Sequence, residues 1–192
     1  MNKVIFLVVS LCFVQLIAAR SVRDAPAESE NALQTTITEI QTRAHDALST
    51  FRALFLDVTG FKNEDEFFNS VKEQAKTFAS KYETIQATLT EEAKKNSATY
   101  DEVVKNVNTN LQAAVKTLEE KNPEAFADFS AYRENVQTNL NTLVGEADKL
   151  GDVIKKHSET VSADLKNSWE ELYKNTVDLI QKTTKALEEK KN

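Results

Sequence analysis

The chain has 192 residues, 24 of them basic and 30 acidic, for a net charge of −6. That balance argues against nucleic acid as the main partner, since phosphate backbones are held by basic patches. Three glycines and two prolines are too few for a fold built on turns and strands, while Ala, Glu, Lys, Gln and Leu, all good helix formers, dominate the exposed-looking positions.

The N-terminus reads as a targeting segment. Lys3 precedes an apolar run from Val4 to Leu11, continued by Cys12-Phe13-Val14 and ending at Leu16-Ile17-Ala18-Ala19. A positive start, a short apolar core and small residues at its end describe a secretory signal peptide over residues 1–19. The run falls short of the ~20 residues a transmembrane span needs. Arg20-Ser21-Val22-Arg23 then reads as a processing site, so residues 20–23 form a pro-segment and 24–192 the mature domain.

Cys12 and Met1 are the only cysteine and the only methionine, and both leave with the leader. A secreted mature chain would thus have no disulfide, and helix packing alone must hold it. Its sequence contains no Asn-x-Ser/Thr acceptor, so N-glycosylation is not expected. Processing also removes Lys3, Arg20 and Arg23 and no acidic residue, which makes the balance more acidic still.

From Leu33 the apolar positions run Leu33, Ile37, Ile40, Ala44, Ala47, Phe51, Leu54 and Val58, widened by Leu48 and Phe55. Steps alternating between three and four residues put all of them on one helix face. Gly60 stands where a left-handed residue commonly ends a helix, so the first helix is placed over about residues 29–59. Asn63 followed by Glu64-Asp65-Glu66 has capping-box spacing. Phe68, Val71, Ala75, Phe78, Tyr82, Ile85 and Leu89 carry the second stripe, predicting a helix over 64–95.

Thr99 with Glu102 forms another capping box, and Tyr100, Val104, Val107, Leu111, Ala114 and Leu118 carry a third stripe that ends at Glu119-Glu120-Lys121. Asn122-Pro123 is expected to open the fourth helix, since Asn caps and Pro suits the first turn. Its face reads Phe126, Phe129, Tyr132, Val136, Leu140, Leu143, Ala147, Leu150 and Ile154, with an end between Gly151 and Lys156. Gly145 and Gly151 each weaken those turns by about 1 kcal/mol relative to alanine. His157-Ser158 is expected to begin the last helix, which carries Val161, Leu165, Trp169, Leu172, Thr176, Ile180, Thr183 and Leu187 and ends at Lys190-Lys191. Five amphipathic helices joined by short breaks predict an all-α, up-and-down bundle.

No catalytic set stands out. A mature chain without cysteine cannot use a thiol nucleophile. His45 and His157 are far apart and have no Cys or His partner at metal-ligand spacing. There is no Gly-x-Ser-x-Gly elbow, and three glycines make no phosphate loop. Glu64-Asp65-Glu66, Glu91-Glu92 and Glu188-Glu189 read as solvated faces and caps, and lack the alternation and central glycine of a calcium loop. The expectation is a non-enzyme with no cofactor and no metal.

Apolar stripes at helical spacing are most often simply a core. Here every helix is long, with a broad Lys/Glu face and no cross-link to close the bundle, so the inner faces could turn onto another apolar surface. Each large side chain exposed on opening costs roughly 1.5–3 kcal/mol in water. On lipid the same faces are buried again, and the helical hydrogen bonds survive because they lie within each helix.

Asp24-Ala25-Pro26 after a basic pro-segment, Asn63-Glu-Asp-Glu-Phe-Phe-Asn69, Lys121-Asn-Pro-Glu124 with Phe129, Val136-Gln137 and Asp148-Lys149-Leu150, and Trp169-Glu-Glu-Leu-Tyr173 through Ala186-Leu-Glu-Glu189 together resemble insect apolipophorin III, over essentially the whole mature chain. The resemblance implies a five-helix bundle, monomeric in haemolymph when lipid-free. It implies reversible binding to diacylglycerol-loaded lipophorin particles and their phospholipid, with the bundle opening. It also implies, as the alternative, innate-immune binding of microbial lipopolysaccharide or glucan. In the family the segment between helices three and four is thought to meet lipid first; here that is Asn122 to Phe126, with an acidic Glu124.

The candidate lipid-binding residues are Leu33, Ile37, Ile40, Phe51, Leu54 and Phe55; Phe68, Val71, Phe78, Tyr82, Ile85 and Leu89; Val104, Val107, Leu111 and Leu118; Phe126, Phe129, Val136, Leu140, Leu143 and Leu150; and Leu165, Trp169, Leu172, Ile180 and Leu187. A plain bundle whose faces never leave the core is the remaining reading.

Overall fold

The computed structural model describes residues 26–57, 64–95, 100–120 and 128–190. The leader, the pro-segment, Val58, Gly60, Asn63, Thr99, Asn122-Pro123 and Phe126 lie outside the described residues. Five helices follow in order: α1 (Pro26–Asp57), α2 (Glu64–Lys95), α3 (Asp101–Glu120), α4 (Phe129–Lys156) and α5 (Ala163–Lys190). No strand occurs among the described residues. Leu33–Asn192 form one compact unit, and the packing below is that of this unit.

The helix ends follow from local chemistry. The bounds of α2, Glu64–Lys95, match the predicted 64–95. The first helix is described over Pro26–Asp57 and begins at Pro26 rather than 29, with a proline at its first position, where the missing N–H costs nothing; the predicted end at 59 lies outside the described residues. Two predicted starts are corrected. The fourth helix begins at Phe129, not Pro123. Asp128 is extended (φ −158°, ψ 175°), so no continuous helix passes through it, and its carboxylate accepts the Ala131 N–H at 2.8 Å as an N-cap.

The last helix begins at Ala163, not His157. His157 leaves helical geometry (φ −119°, ψ 32°), and its carbonyl accepts the N–H groups of both Thr160 and Val161 in a turn. Ser162 then caps α5, its Oγ accepting the Leu165 N–H at 3.0 Å. Val161 is buried, although it precedes the helix.

Contacts between helices fix their directions. Gln41 meets Lys155, His45 meets Asp148 and Arg52 meets Asn141, so α1 and α4 run antiparallel. Asn110 bonds Glu146 while Tyr100 packs on His157, so α3 is also antiparallel to α4. Phe67 and Phe68, at the start of α2, pack on Phe129 and Tyr132 at the start of α4, so those two run parallel. Close backbone approach, with Cα atoms within 8 Å, joins α2 to α3, α3 to α4, α4 to α5 and α5 back to α2. Four helices thus make a closed ring. α1 makes no comparably close approach to them, and from Gln41 to Phe55 it meets α4 through hydrogen bonds.

Candidate functional site

The only large continuous apolar surface the described residues build is the interior itself. One stripe from each helix meets there, and the structure brings together nearly all of the residues singled out from spacing. Ile37, Phe51, Phe55, Val71, Phe78, Tyr82, Ile85, Leu89, Val104, Val107, Leu111, Leu118, Val136, Leu140, Leu143, Leu150, Leu165, Trp169, Leu172, Ile180 and Leu187 are all buried. Leu33, Ile40, Leu54, Phe68 and Phe129 are half-buried at its edges.

Periodicity alone misjudges one position in α2. Phe67 is fully buried, against Phe129 and Tyr132, while its neighbour Phe68 is half-buried with Lys72 over its ring. It also misses Val144, Val153, Tyr173, Val177 and Leu179, all buried. A signal for them exists in the sequence. Leu172-Tyr173, Leu179-Ile180 and Ala186-Leu187 are adjacent apolar pairs, which a helix buried on a broad face needs and a surface helix does not.

Aromatic rings collect at one end. Phe51 and Phe55 lie 5.2 Å apart in α1, and Phe67, Phe68, Phe129 and Tyr132 pack edge-on or tilted between α2 and α4. Arg133 sits 4.5 Å over the Phe55 ring and donates to the Phe55 carbonyl. Such ring pairs add about 0.5–1.5 kcal/mol each beyond their area.

Polar groups thread this interior. The Trp169 indole N–H donates to the Ala147 carbonyl at 3.0 Å. The Tyr173 hydroxyl donates to Asp148, whose other oxygen is 2.8 Å from His45 Nε2, so one carboxylate ties α1, α4 and α5 together. Tyr82 reaches the Asn108 carbonyl across the α2–α3 seam. Burial, chiefly, pushes the hydroxyls of Tyr82, Tyr100, Tyr132 and Tyr173 above their ordinary pKa.

Among the described residues, two carboxylates are buried. Glu92, expected on a solvated face, is held 3.5 Å from Lys95, and Glu146 accepts from Asn110 and Lys149 at 3.0 and 2.6 Å. Thr176 and Thr184, also in the interior, satisfy themselves by donating to carbonyls four residues back, whereas the buried Thr183 hydroxyl has no hydrogen-bond partner.

A groove of about 220 Å³ between α2 and α3 is lined by Leu89, Thr90, Ala93, Lys94, Lys105, Asn108 and Thr109. That lies below the roughly 300 Å³ at which small-molecule sites begin. Among the described residues no cluster of three or more His, Cys, Asp or Glu could hold a metal, and no helix is long and apolar enough to cross a membrane. His45 bonds Asp148 and His157 caps α4, so both histidines have structural partners. What the arrangement offers chemically is hydrocarbon surface, closed in water, on helices whose outer faces are charged.

A family model described as Apolipophorin-III precursor (apoLp-III) matches residues 34–190, from the first turns of the compact unit to the end of α5. No curated protein and no solved structure matches. The matched span takes in all five stripes, and the family is one of non-enzymatic, lipid-binding apolipoproteins. The chain belongs to the apolipophorin-III family.

Proposed function

We propose that the protein is a secreted, exchangeable apolipoprotein that binds the surface of diacylglycerol-loaded lipophorin particles reversibly, opening its bundle to do so and aiding lipid transport in haemolymph. On this reading residues 1–19 are a signal peptide, 20–23 a pro-segment and 24–192 the lipid-binding domain, monomeric when free of lipid. The candidate residues from Leu33 to Leu187 face the core in water and the acyl chains on a particle.

One observation carries the reading. The apolar surface is assembled from a single stripe on each helix, and the helices keep their own hydrogen bonds. Even interior hydroxyls such as those of Thr176 and Thr184 donate within their helix. Separating the helices on lipid therefore breaks the polar bonds between helices but none of those within them. The apolar faces, whose exposure would cost roughly 1.5–3 kcal/mol per large side chain, are buried again on lipid. The difference that lipid must supply is only the net stability of a domain, about 5–15 kcal/mol.

The test is clearance of dimyristoylphosphatidylcholine vesicle turbidity, with Trp169 as reporter. Because Trp169 is already 1% exposed in the free protein, its emission colour is a poor signal. Quenching by phospholipids brominated on their acyl chains is the discriminating one. Clearance into small discs with helicity kept and Trp169 quenched is the expected result. A compact monomer that neither clears vesicles nor is quenched would leave an ordinary bundle. Selective, saturable binding of lipopolysaccharide or glucan by that monomer would mark it as a microbial-recognition module instead.

A further inference from the structure

We propose that α1 is a lid, which lifts away from the α4–α5 seam before the other helices part, and that this seam is the first surface to meet lipid. The proposal rests on the lipid-binding reading and specifies how that site is uncovered.

Three observations carry it. First, the backbones of α2, α3, α4 and α5 approach closely in a closed cycle to which α1 does not belong. Removing α1 leaves each of the other four with both of its ring neighbours. Second, α1 is fastened by the far ends of long side chains. Gln41 accepts from Lys155, His45 bonds Asp148, Arg52 donates to Asn141 at 2.7 Å, and the Phe55 carbonyl accepts from Arg133. The His45 side chain in that set is 57% exposed. The His45 and Arg52 pairs are exposed, and pairs of that kind contribute only about 0–1 kcal/mol apiece, while the Lys155–Gln41 and Arg133–Phe55 bonds are part-buried.

Third, α1 has the thinner apolar seat. Between Leu33 and Phe55 it fully buries Ile37, Ala44, Leu48, Phe51 and Phe55, while Leu33, Ile40, Ala47 and Leu54 reach only half-burial. α5, of similar length, buries residues on adjoining positions along its whole run, from Leu165 and Trp169 through Tyr173 and Val177 to Ala186 and Leu187. Local stability is lowest where buried apolar contacts are fewest. An opening that begins at α1 is therefore the least costly one available.

What α1 covers is suited to lipid. Gln41 lies over the point where Gly151 and Trp169 meet. At this seam Trp169 gives its N–H to Ala147 and Tyr173 its O–H to Asp148, so each has a polar edge beside an apolar body. Side chains of that kind partition to the boundary between headgroups and acyl chains.

Hydrogen exchange of the lipid-free protein, followed by mass spectrometry, tests the lid without reference to lipid. Amides of residues 33–57 should exchange at least about tenfold faster than those of α4 and α5, through an opening that leaves α2–α5 protected. The double variant His45→Ala, Arg52→Ala should speed exchange in α1 further and leave α2 and α3 unchanged. Exchange of α1 at the same rate as α4 and α5, in both proteins, overturns the lid. Vesicle clearance then separates the two claims. Fast α1 exchange in a protein that clears no vesicles keeps the lid and removes the lipid reading. Clearance by a protein whose five helices exchange together does the reverse.

Discussion

Trp169 lies against Gly151 so closely that a methyl group at Gly151 would stand 3.0 Å from the indole nitrogen and 3.3 Å from Cε2, with Gln41 Nε2 equally near. The glycine that helix propensity marks as a weakness is the vacancy that admits the indole. Gly151→Ala should therefore destabilise the bundle, by about 1–3 kcal/mol as overpacking does. At Gly145, on the preceding turns of the same helix, an added methyl group would meet nothing within 4 Å. Gly145→Ala should stabilise by about 0.5–1 kcal/mol through propensity and unfolded-state entropy. Urea unfolding of the two variants should give opposite signs, and equal signs would refute the assignment of Gly151 to packing.

Thr183 presents the core with a hydroxyl that no partner satisfies, while Thr176, on the same face nearer the start of α5, bonds back to Leu172. Thr183→Val keeps the shape and removes the stranded group, so it should raise stability by about 1 kcal/mol. Thr176→Val should change little, because a satisfied hydroxyl is lost with its bond. Thermal unfolding of the pair gives the comparison.

All four tyrosines are held above their ordinary pKa, each mainly by burial. Their folded pKa exceeds the unfolded one, so the stability they confer is intact below about pH 10 and is lost as pH rises beyond it. Tyrosinate absorbance and helical ellipticity should then change together in one alkaline transition. A tyrosine ionising near pH 10 with the helices intact would contradict this burial.

Asp101 shows the opposite linkage. Its carboxylate accepts from Lys105 at 2.8 Å, which, ahead of the other influences on it, holds its pKa below the ordinary 3.8. Depressed in the folded state, it stabilises above that value and the contribution fades as pH falls through the folded pKa. Asp101 also lies in the first turn of α3, where negative charge complements the helix dipole. Asp101→Asn should lower the melting temperature at neutral pH, and the difference should vanish by about pH 2. A difference that persists in acid would point to a non-electrostatic role.

Much of this is legible in the residues. Alternating steps of three and four mark α2, because Phe68 to Leu89 form an unbroken stripe, and the capping spacing of Asn63 with Glu64-Asp65-Glu66 places its start. Where two signals compete, periodicity is blind: Phe67 and Phe68 fit the stripe nearly equally, and only packing against Phe129 and Tyr132 selects Phe67. Sequence misplaces the start of α4 because Asn-Pro is a strong opener in isolation, whereas Asp128, bonded to the Ala131 N–H, supplies the cap. The polar ties are beyond its reach, since His45 and Asp148 stand 103 residues apart and only the antiparallel pairing of α1 with α4 joins them.

The interior is made of aliphatic, aromatic and a few hydroxyl and carboxyl groups, and beyond residue 12 the chain contains neither cysteine nor methionine. Sulfur is the usual point at which peroxides attack a protein core, turning apolar thioethers into polar sulfoxides and thiols into acids. Lipid peroxides are oxidants that a lipid-binding protein meets at close range. This packing contains no sulfur for them to convert, so sulfur oxidation leaves it untouched.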